Sequence, residues 1–105
     1  MKVAQVMNTH ECNSLEELRG YIDRLDDQIV ELIAERNSYV KQAAHFKHSV
    51  EEIKGAERME AVMDHVRSKA MELGVSPNLV STLYKYMIDE MVEAEIAEFR
   101  NARSL

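Results

Sequence analysis

The sequence predicts an all-α protein of three helices, one very long and two shorter, that assembles as an intertwined two-fold homodimer. Three observations lead to this fold class. The 105 residues include only three glycines and one proline, which leaves few positions for turns. Apolar residues recur every three or four positions over long stretches, as they do on one face of an α-helix. Cap signals divide these stretches, and no segment shows the alternation typical of a β-strand.

The first helix is expected to run from Ser14 to about His48. Ser14 and Glu17 match a capping box at its start. Its apolar stripe consists of Leu15, Leu18, Ile22, Leu25, Ile29, Leu32, Tyr39, Ala43 and Phe46. Roughly 34 helical residues make a rod of about 50 Å, against the ~26 Å diameter of a compact domain of this size. Because the chain alone cannot cover such a rod, the simplest cover is a second copy.

Two further helices are expected after a break at Gly55. The second runs from about Ala56 to Leu73, where Gly74 is a typical C-terminal stop. The third begins at Pro77, directly after the N-cap candidate Ser76, and continues to about Arg100. Residues 1–13 show no sustained period and are expected to form a flexible lead-in to a single helical domain over 14–105.

Composition argues against several classes of function. The formal net charge of -6 disfavours a nucleic acid or an anionic membrane as partner. The lone Cys12 excludes an internal disulfide and argues against a zinc site, so no metal is expected. With no membrane span and no signal-peptide core in the sequence, the expected location is the cytoplasm.

Arg36 interrupts the apolar stripe of the first helix. A charge at such a position either pairs with a carboxylate of the chain, for example Glu95, or binds an anionic ligand. Lys47 follows 11 residues later, about 16 Å along a continuous helix, so the two long side chains could converge on a small molecule. Arg19 lies about 25 Å from Arg36 on the same rod, too far to share that site within one chain. In an antiparallel dimer, the Arg19 of one chain could reach the Arg36–Lys47 region of the other. The alternative for Arg19 and Lys47 is that both are ordinary solvated residues on the flank of the helix, since spacing alone does not establish a site.

Glu95 is the second charged residue on an apolar face, since its helix neighbours are Ile88, Met91 and Phe99. Two interpretations stay open for a carboxylate that loses its water there. It could form a structural ion pair with an arginine of the first helix, or it could carry a proton and donate a hydrogen bond to a ligand oxygen. Without a nucleophile dyad, a glycine-rich phosphate loop or a metal motif, an enzyme built on these residues would need no cofactor.

The residues resemble the all-α class of chorismate mutases and, within it, the branch of isochorismate pyruvate lyases. The resemblance covers about residues 12 to 102. It is carried by Leu18-Arg19, Ile22-Asp23, Asp26, Ile29-Val30, Leu32, Arg36, Tyr39-Val40-Lys41, Phe46-Lys47 and Glu57-Arg58. The resemblance implies an intertwined dimer of three-helix chains whose two active sites share residues across the interface.

The resemblance also assigns roles to the basic residues. It implies that Arg36 binds one substrate carboxylate, that Arg19 of the other chain binds the second, and that Arg58 helps to hold the substrate. Lys47 would contact the ether oxygen and a carboxylate. Glu95 stands where many members have a glutamine that donates to the ether oxygen.

Two positions depart from the mutase pattern. Many mutases hold the ring hydroxyl with a glutamate directly after the arginine of the second helix and with an acid three residues before that arginine. This chain has Met59 and Gly55 there. The departure favours a lyase-like contact with the ring.

The resulting hypothesis is a cofactor-free pericyclic enzyme that converts chorismate to prephenate, isochorismate to salicylate and pyruvate, or both. Its substrate is a small dicarboxylate in either case. The alternative is a non-catalytic helical dimer that serves as a scaffold or as a sensor of a shikimate-pathway metabolite. A broken coiled-coil adaptor is a third hypothesis, and it predicts no ligand effect on melting.

Overall fold

The computed structural model describes residues 9–103, and over this range the chain is all-α with no β-strand. Helix α1 spans Leu15–Ala43 and is followed by a 3-10 turn at Ala44–Phe46. A five-residue helix, α2 (Val50–Lys54), leads into α3 (Ala56–Leu73) and α4 (Pro77–Arg103). The prediction of an all-α chain with three main helices is confirmed, although α4, with 27 residues, is nearly as long as α1, with 29. Most of the expected lead-in falls on residues 1–8, which lie outside the described range.

The ends of the long helices form where the sequence signals them. Ser14 accepts a hydrogen bond at Oγ from the backbone N–H of Glu17 at 3.0 Å, and Ser76 caps α4 in the same way through the N–H of Leu79 at 3.2 Å. Gly74 ends α3 with a left-handed backbone (φ 75°), a conformation that glycine adopts without a Cβ clash. These local bonds satisfy backbone groups that a helix end would otherwise leave unpaired.

The expected end of the first helix was wrong. The helix stops at Ala43 rather than near His48, and Lys47 has an extended backbone (φ -97°, ψ 147°). The tighter turn buries Ala44, which is 3% exposed, and directs the chain toward α4. Lys47 therefore lies off the rod on which a continuous helix would have placed it. At the other terminus, α4 continues to Arg103, about one turn beyond the predicted end.

The core lies between an antiparallel α3–α4 hairpin and the C-terminal part of α1. Its buried apolar side chains are Ala44, Ile53, Val66, Ala70, Ile88 and Ile96. Outside the core, Arg67 of α3 links the two long helices of the hairpin by donating to the side chains of Asn78 and Ser81. This small core fixes α4 as the element against which both α1 and α3 pack.

Helix α1 buries none of its residues in the single chain. The apolar stripe expected to face a partner is exposed, with Leu32 at 63% and Leu25 at 55%. The chain is correspondingly elongated, with principal extents of 58 × 30 × 17 Å. Despite this apolar face, no helix within residues 9–103 is both long and apolar enough to cross a membrane.

We expect Gly55→Ala to destabilise the protein. Gly55 joins α2 to α3 with a positive φ of 27°, and an added Cβ would lie 3.1 Å from the carbonyl oxygen of Glu52. Backbone strain and this close approach together should lower the free energy of unfolding by about 1–2 kcal/mol. Urea denaturation at a fixed protein concentration measures the change.

Gly20→Ala is the matched control for this prediction. Gly20 lies inside α1, and a Cβ added there would meet nothing within 4 Å. Alanine at this position should raise the free energy of unfolding by about 0.5–1 kcal/mol, because it reduces the entropy of the unfolded chain. Equal effects of the two substitutions would contradict a special backbone requirement at Gly55.

Candidate active site

A cavity of about 350 Å³ opens where α1, α2, α3 and α4 meet. Its apolar wall consists of Tyr39, Val40, Ala43, Ile53, Met59, Val62, Ile88, Met91 and Val92. Its volume falls at the lower end of the range of pockets that hold small molecules. The cavity therefore suits a compact ligand with an apolar face.

Charged side chains line the same cavity in unequal numbers. The cations are Arg36, Lys47, Lys54 and Arg58, and the carboxylates are Glu52 and Glu95. Four positive groups against two negative ones leave an excess of two positive charges. In a chain with a formal net charge of -6, this local excess runs against the overall field. It matches a ligand that carries two negative charges.

The ion pair between Lys47 and Glu95 closes one side of the cavity. Lys47 Nζ lies 2.9 Å from Glu95 Oε2, and the Glu95 side chain is only 6% exposed. A carboxylate buried to this degree requires a cation or hydrogen-bond donors. The partner is Lys47 rather than an arginine of α1, so neither sequence-based interpretation of Glu95 named the group that it contacts.

Arg36 lies in the cavity wall without a carboxylate partner among residues 9–103. Its guanidinium carbon is 5.6 Å from the centre of the Tyr84 ring on α4, within the range of a cation–π contact. The structural alternative for Arg36, an ion pair with Glu95 or another acid, is not formed. The guanidinium thus keeps hydrogen-bond donors for a ligand.

Arg58 reaches the cavity from the first turn of α3. Its position depends on Gly55, because this single residue turns the chain between α2 and α3. Gly55 and Met59, the two positions at which the resemblance led us to look for an acid, both line the cavity. The positive φ of Gly55 supplies a backbone reason for glycine at that position.

Arg19 is the one sequence-predicted site residue that does not line this cavity. It lies on an exposed part of α1, 17 residues before Arg36, which corresponds to about 25 Å of helix. The single chain thus assembles four of the five predicted side chains in one place. The fifth remains on the surface of the rod.

Two charged residues of the cavity were missed by reasoning from the sequence, namely Glu52 and Lys54. Both lie on α2, a helix too short to show a periodic apolar stripe. A signal was present in Ser49-Val50-Glu51-Glu52, which repeats the capping-box pattern of the α1 start. Ser49 Oγ accepts from the N–H of Glu52 at 3.2 Å, and Glu52 Oε2 accepts from the N–H of His48 at 2.6 Å.

The lone thiol contributes no nucleophile to this site. Cys12 precedes α1, and its Sγ lies 3.7 Å from the carbonyl oxygen of His10. Desolvation and the nearby Glu17 carboxylate raise the pKa of the Cys12 thiol. A raised pKa favours the protonated form, which is the less reactive one.

Comparison with known proteins connects this geometry to a family. Residues 18–96 match the family model described as chorismate mutase type II. The chain is 32% identical over 93 residues to the isochorismate pyruvate lyase of Pseudomonas aeruginosa, covering 89% of this chain and 92% of that protein. It is 34% identical over 76 residues to the chorismate mutase of Methanocaldococcus jannaschii, covering 71% and 77%. The chain therefore belongs to the chorismate mutase type II family and is an enzyme of that type.

Proposed function

We propose that the protein is a cytoplasmic, cofactor-free homodimer that converts isochorismate to salicylate and pyruvate and chorismate to prephenate. The observation that carries this proposal is the excess of two positive charges around a small, partly apolar cavity. Chorismate and isochorismate are compact dicarboxylates with an apolar ring edge and an ether link. The two carboxylates of the ligand match the excess of positive charge, and its ring edge matches the apolar wall of the cavity.

The chemistry requires no nucleophile or metal. In the rearrangement, one C–O bond breaks as one C–C bond forms. In the lyase reaction, a hydrogen moves to the enolpyruvyl group as the C–O bond breaks and the ring becomes aromatic. Both routes conserve all atoms and electrons of the substrate, so the protein has only to hold a reactive conformer and stabilise negative charge on the ether oxygen.

Each of the predicted site residues in the cavity has a role in this scheme. Arg36 and Arg58 bind the substrate carboxylates, for which a guanidinium offers paired donors. Lys47 acts on the ether oxygen, where charge develops as the bond breaks. Glu95 holds Lys47 before the substrate binds, and its side chain is the second group proposed to act on the same oxygen.

The ring side of the cavity favours the lyase reaction as the faster of the two. Met59 and Val62 of α3 and Met91 and Val92 of α4 line the same cavity. These four side chains can contact a ring, but none of them offers an acceptor to a ring hydroxyl. Gly55, without a side chain, adds none.

A second copy of the chain would complete the site. The exposed stripe of α1, including Leu25 and Leu32, supplies an apolar surface that a dimer would bury. In a two-fold antiparallel arrangement, Arg19 of each chain reaches the cavity of the other. The substrate would then meet arginines from both chains.

The purified protein should turn over both substrates, with isochorismate the faster. Salicylate is followed by its fluorescence and prephenate by its absorbance. Arg36→Ala should reduce kcat/KM by about a hundredfold or more, because it removes a charged group aimed at the reacting molecule. Arg24→Ala, which changes an arginine of α1 outside the cavity, should leave kcat/KM within about twofold.

Each other outcome of this assay is informative. Full turnover by Arg36→Ala would contradict the proposed site. A rise in Tm on adding chorismate without any turnover would favour the sensor over the enzyme. No turnover and no shift in Tm would support the adaptor hypothesis.

Mixing two inactive variants tests the sharing of sites between chains. Arg19→Ala and Arg36→Ala should each be nearly inactive, since each damages both sites of a dimer. After subunit exchange in a 1:1 mixture, a mixed dimer has one intact site and one site with both changes. Random exchange should restore about one quarter of wild-type turnover. A mixture that stays inactive after proven exchange would place both arginines in the same chain's site.

Glu95→Gln tests the proposed contact of this side chain with the ether oxygen. A glutamine amide donates a hydrogen bond without an added proton, so kcat/KM should be retained. Glu93→Gln, an exposed change on the same helix, should also leave kcat/KM unchanged. A large loss of kcat/KM in Glu95→Gln alone would exclude the donor role at this position.

A further inference from the structure

The last turn of α4 contacts the segment that carries Lys47. Arg103 donates from a guanidinium nitrogen to the backbone carbonyl of Lys47 at 3.3 Å. This bond joins residues 56 positions apart. It connects the C-terminal end of α4 to the turn that follows α1.

Lys47 is thereby held at three points. Its N–H donates to the carbonyl of Ala44 at 3.3 Å, its carbonyl accepts from Arg103, and its Nζ contacts Glu95. Two of these three partners lie on α4, eight residues or about 12 Å apart along the helix. The backbone and the ammonium of one residue are therefore fixed to the same rigid element.

The position of Arg103 is itself supported. Its guanidinium carbon lies 4.3 Å from the centre of the Phe99 ring, a cation–π geometry. Glu95, Phe99 and Arg103 recur every four residues, so they share one face of α4. A second contact beside this face, between His45 Nε2 and Glu98 Oε1 at 3.5 Å, links the same turn to α4.

We infer that Arg103 is a positioning residue for Lys47, holding its backbone so that the ammonium stays directed into the cavity when a ligand displaces Glu95. The inference rests on the proposed function, in which Lys47 acts on the substrate. The fold explains why the Lys47 backbone needs this restraint. Lys47 lies outside α1 on an extended stretch, where the preceding turn restrains its backbone only through the bond from its N–H to the Ala44 carbonyl. Once a ligand takes the ammonium, the Arg103 bond is the remaining direct link from Lys47 to α4 in the described structure.

The test compares Arg103→Ala, Arg103→Lys and Arg100→Ala. Arg100 is the matched control, because it lies in the last turn of the same helix and carries the same charge. Arg103→Ala should lower kcat by about fivefold, the effect of losing one exposed hydrogen bond of ordinary strength, with Tm unchanged. Arg103→Lys should recover part of the loss, since an ammonium can donate to the same carbonyl. Arg100→Ala should match the wild type.

Amide hydrogen exchange across residues 45–49 supplies a readout that is independent of activity. Arg103→Ala should speed exchange in this segment, and Arg100→Ala should not. Faster exchange with unchanged kcat would overturn the positioning role, as would a kcat loss that follows a fall in Tm. If the wild type turned over neither substrate, the proposed function would fail, while the exchange comparison would still decide whether Arg103 holds this segment.

Discussion

The buried carboxylate of Glu95 is the constraint on which the rest of the site depends. Within residues 9–103, Glu95 is the single charged residue that is buried, with 4% of its surface exposed. Leaving such a group unpaired would cost several kcal/mol. The chain pairs it by ending α1 early and turning through Ala44, so that Lys47 arrives beside α4. The same turn sets one boundary of the cavity and the direction from which Lys47 approaches it.

This pairing also shapes the electrostatics of the cavity. Four clustered cations would repel one another in a cavity that water only partly screens. Glu95 and Glu52 offset half of that charge, and the remaining excess equals the charge of a dicarboxylate. Glu95 pairs with Lys47 rather than with Arg36. The Arg36 guanidinium therefore remains available to a ligand, while the Lys47 ammonium is kept in place. A dianion then competes with Glu95 for Lys47.

Sequence reasoning succeeded where the determinants are local and failed where they are not. The caps at Ser14, Gly74 and Ser76 depend on neighbours within a few residues, and all three form as expected. The end of α1 depends on the pairing of Lys47 with a residue 48 positions away, and no local signal near the helix end marks it. The charged residues of α2 were missed because a helix of five residues is too short to show an apolar periodicity, although its capping box is recognisable in the sequence. Arg36 and Glu95 were identifiable because each places a charge on an apolar face.

Helix α1 connects the site to the proposed assembly. It offers Arg36 to its own cavity while its apolar stripe, with no buried residue, needs another surface. Arg19 lies on that same rod, about 25 Å away, at a place that its own cavity cannot use. The proposed two-fold partner would satisfy both conditions at once, because it would cover the stripe and exchange Arg19 between cavities. Formation of the dimer would then bury the stripe and complete the anion-binding cavity at the same time. Any change that weakens the dimer should therefore also remove Arg19 from each cavity. In this arrangement, the length of α1 is a requirement of the chemistry as well as of the fold.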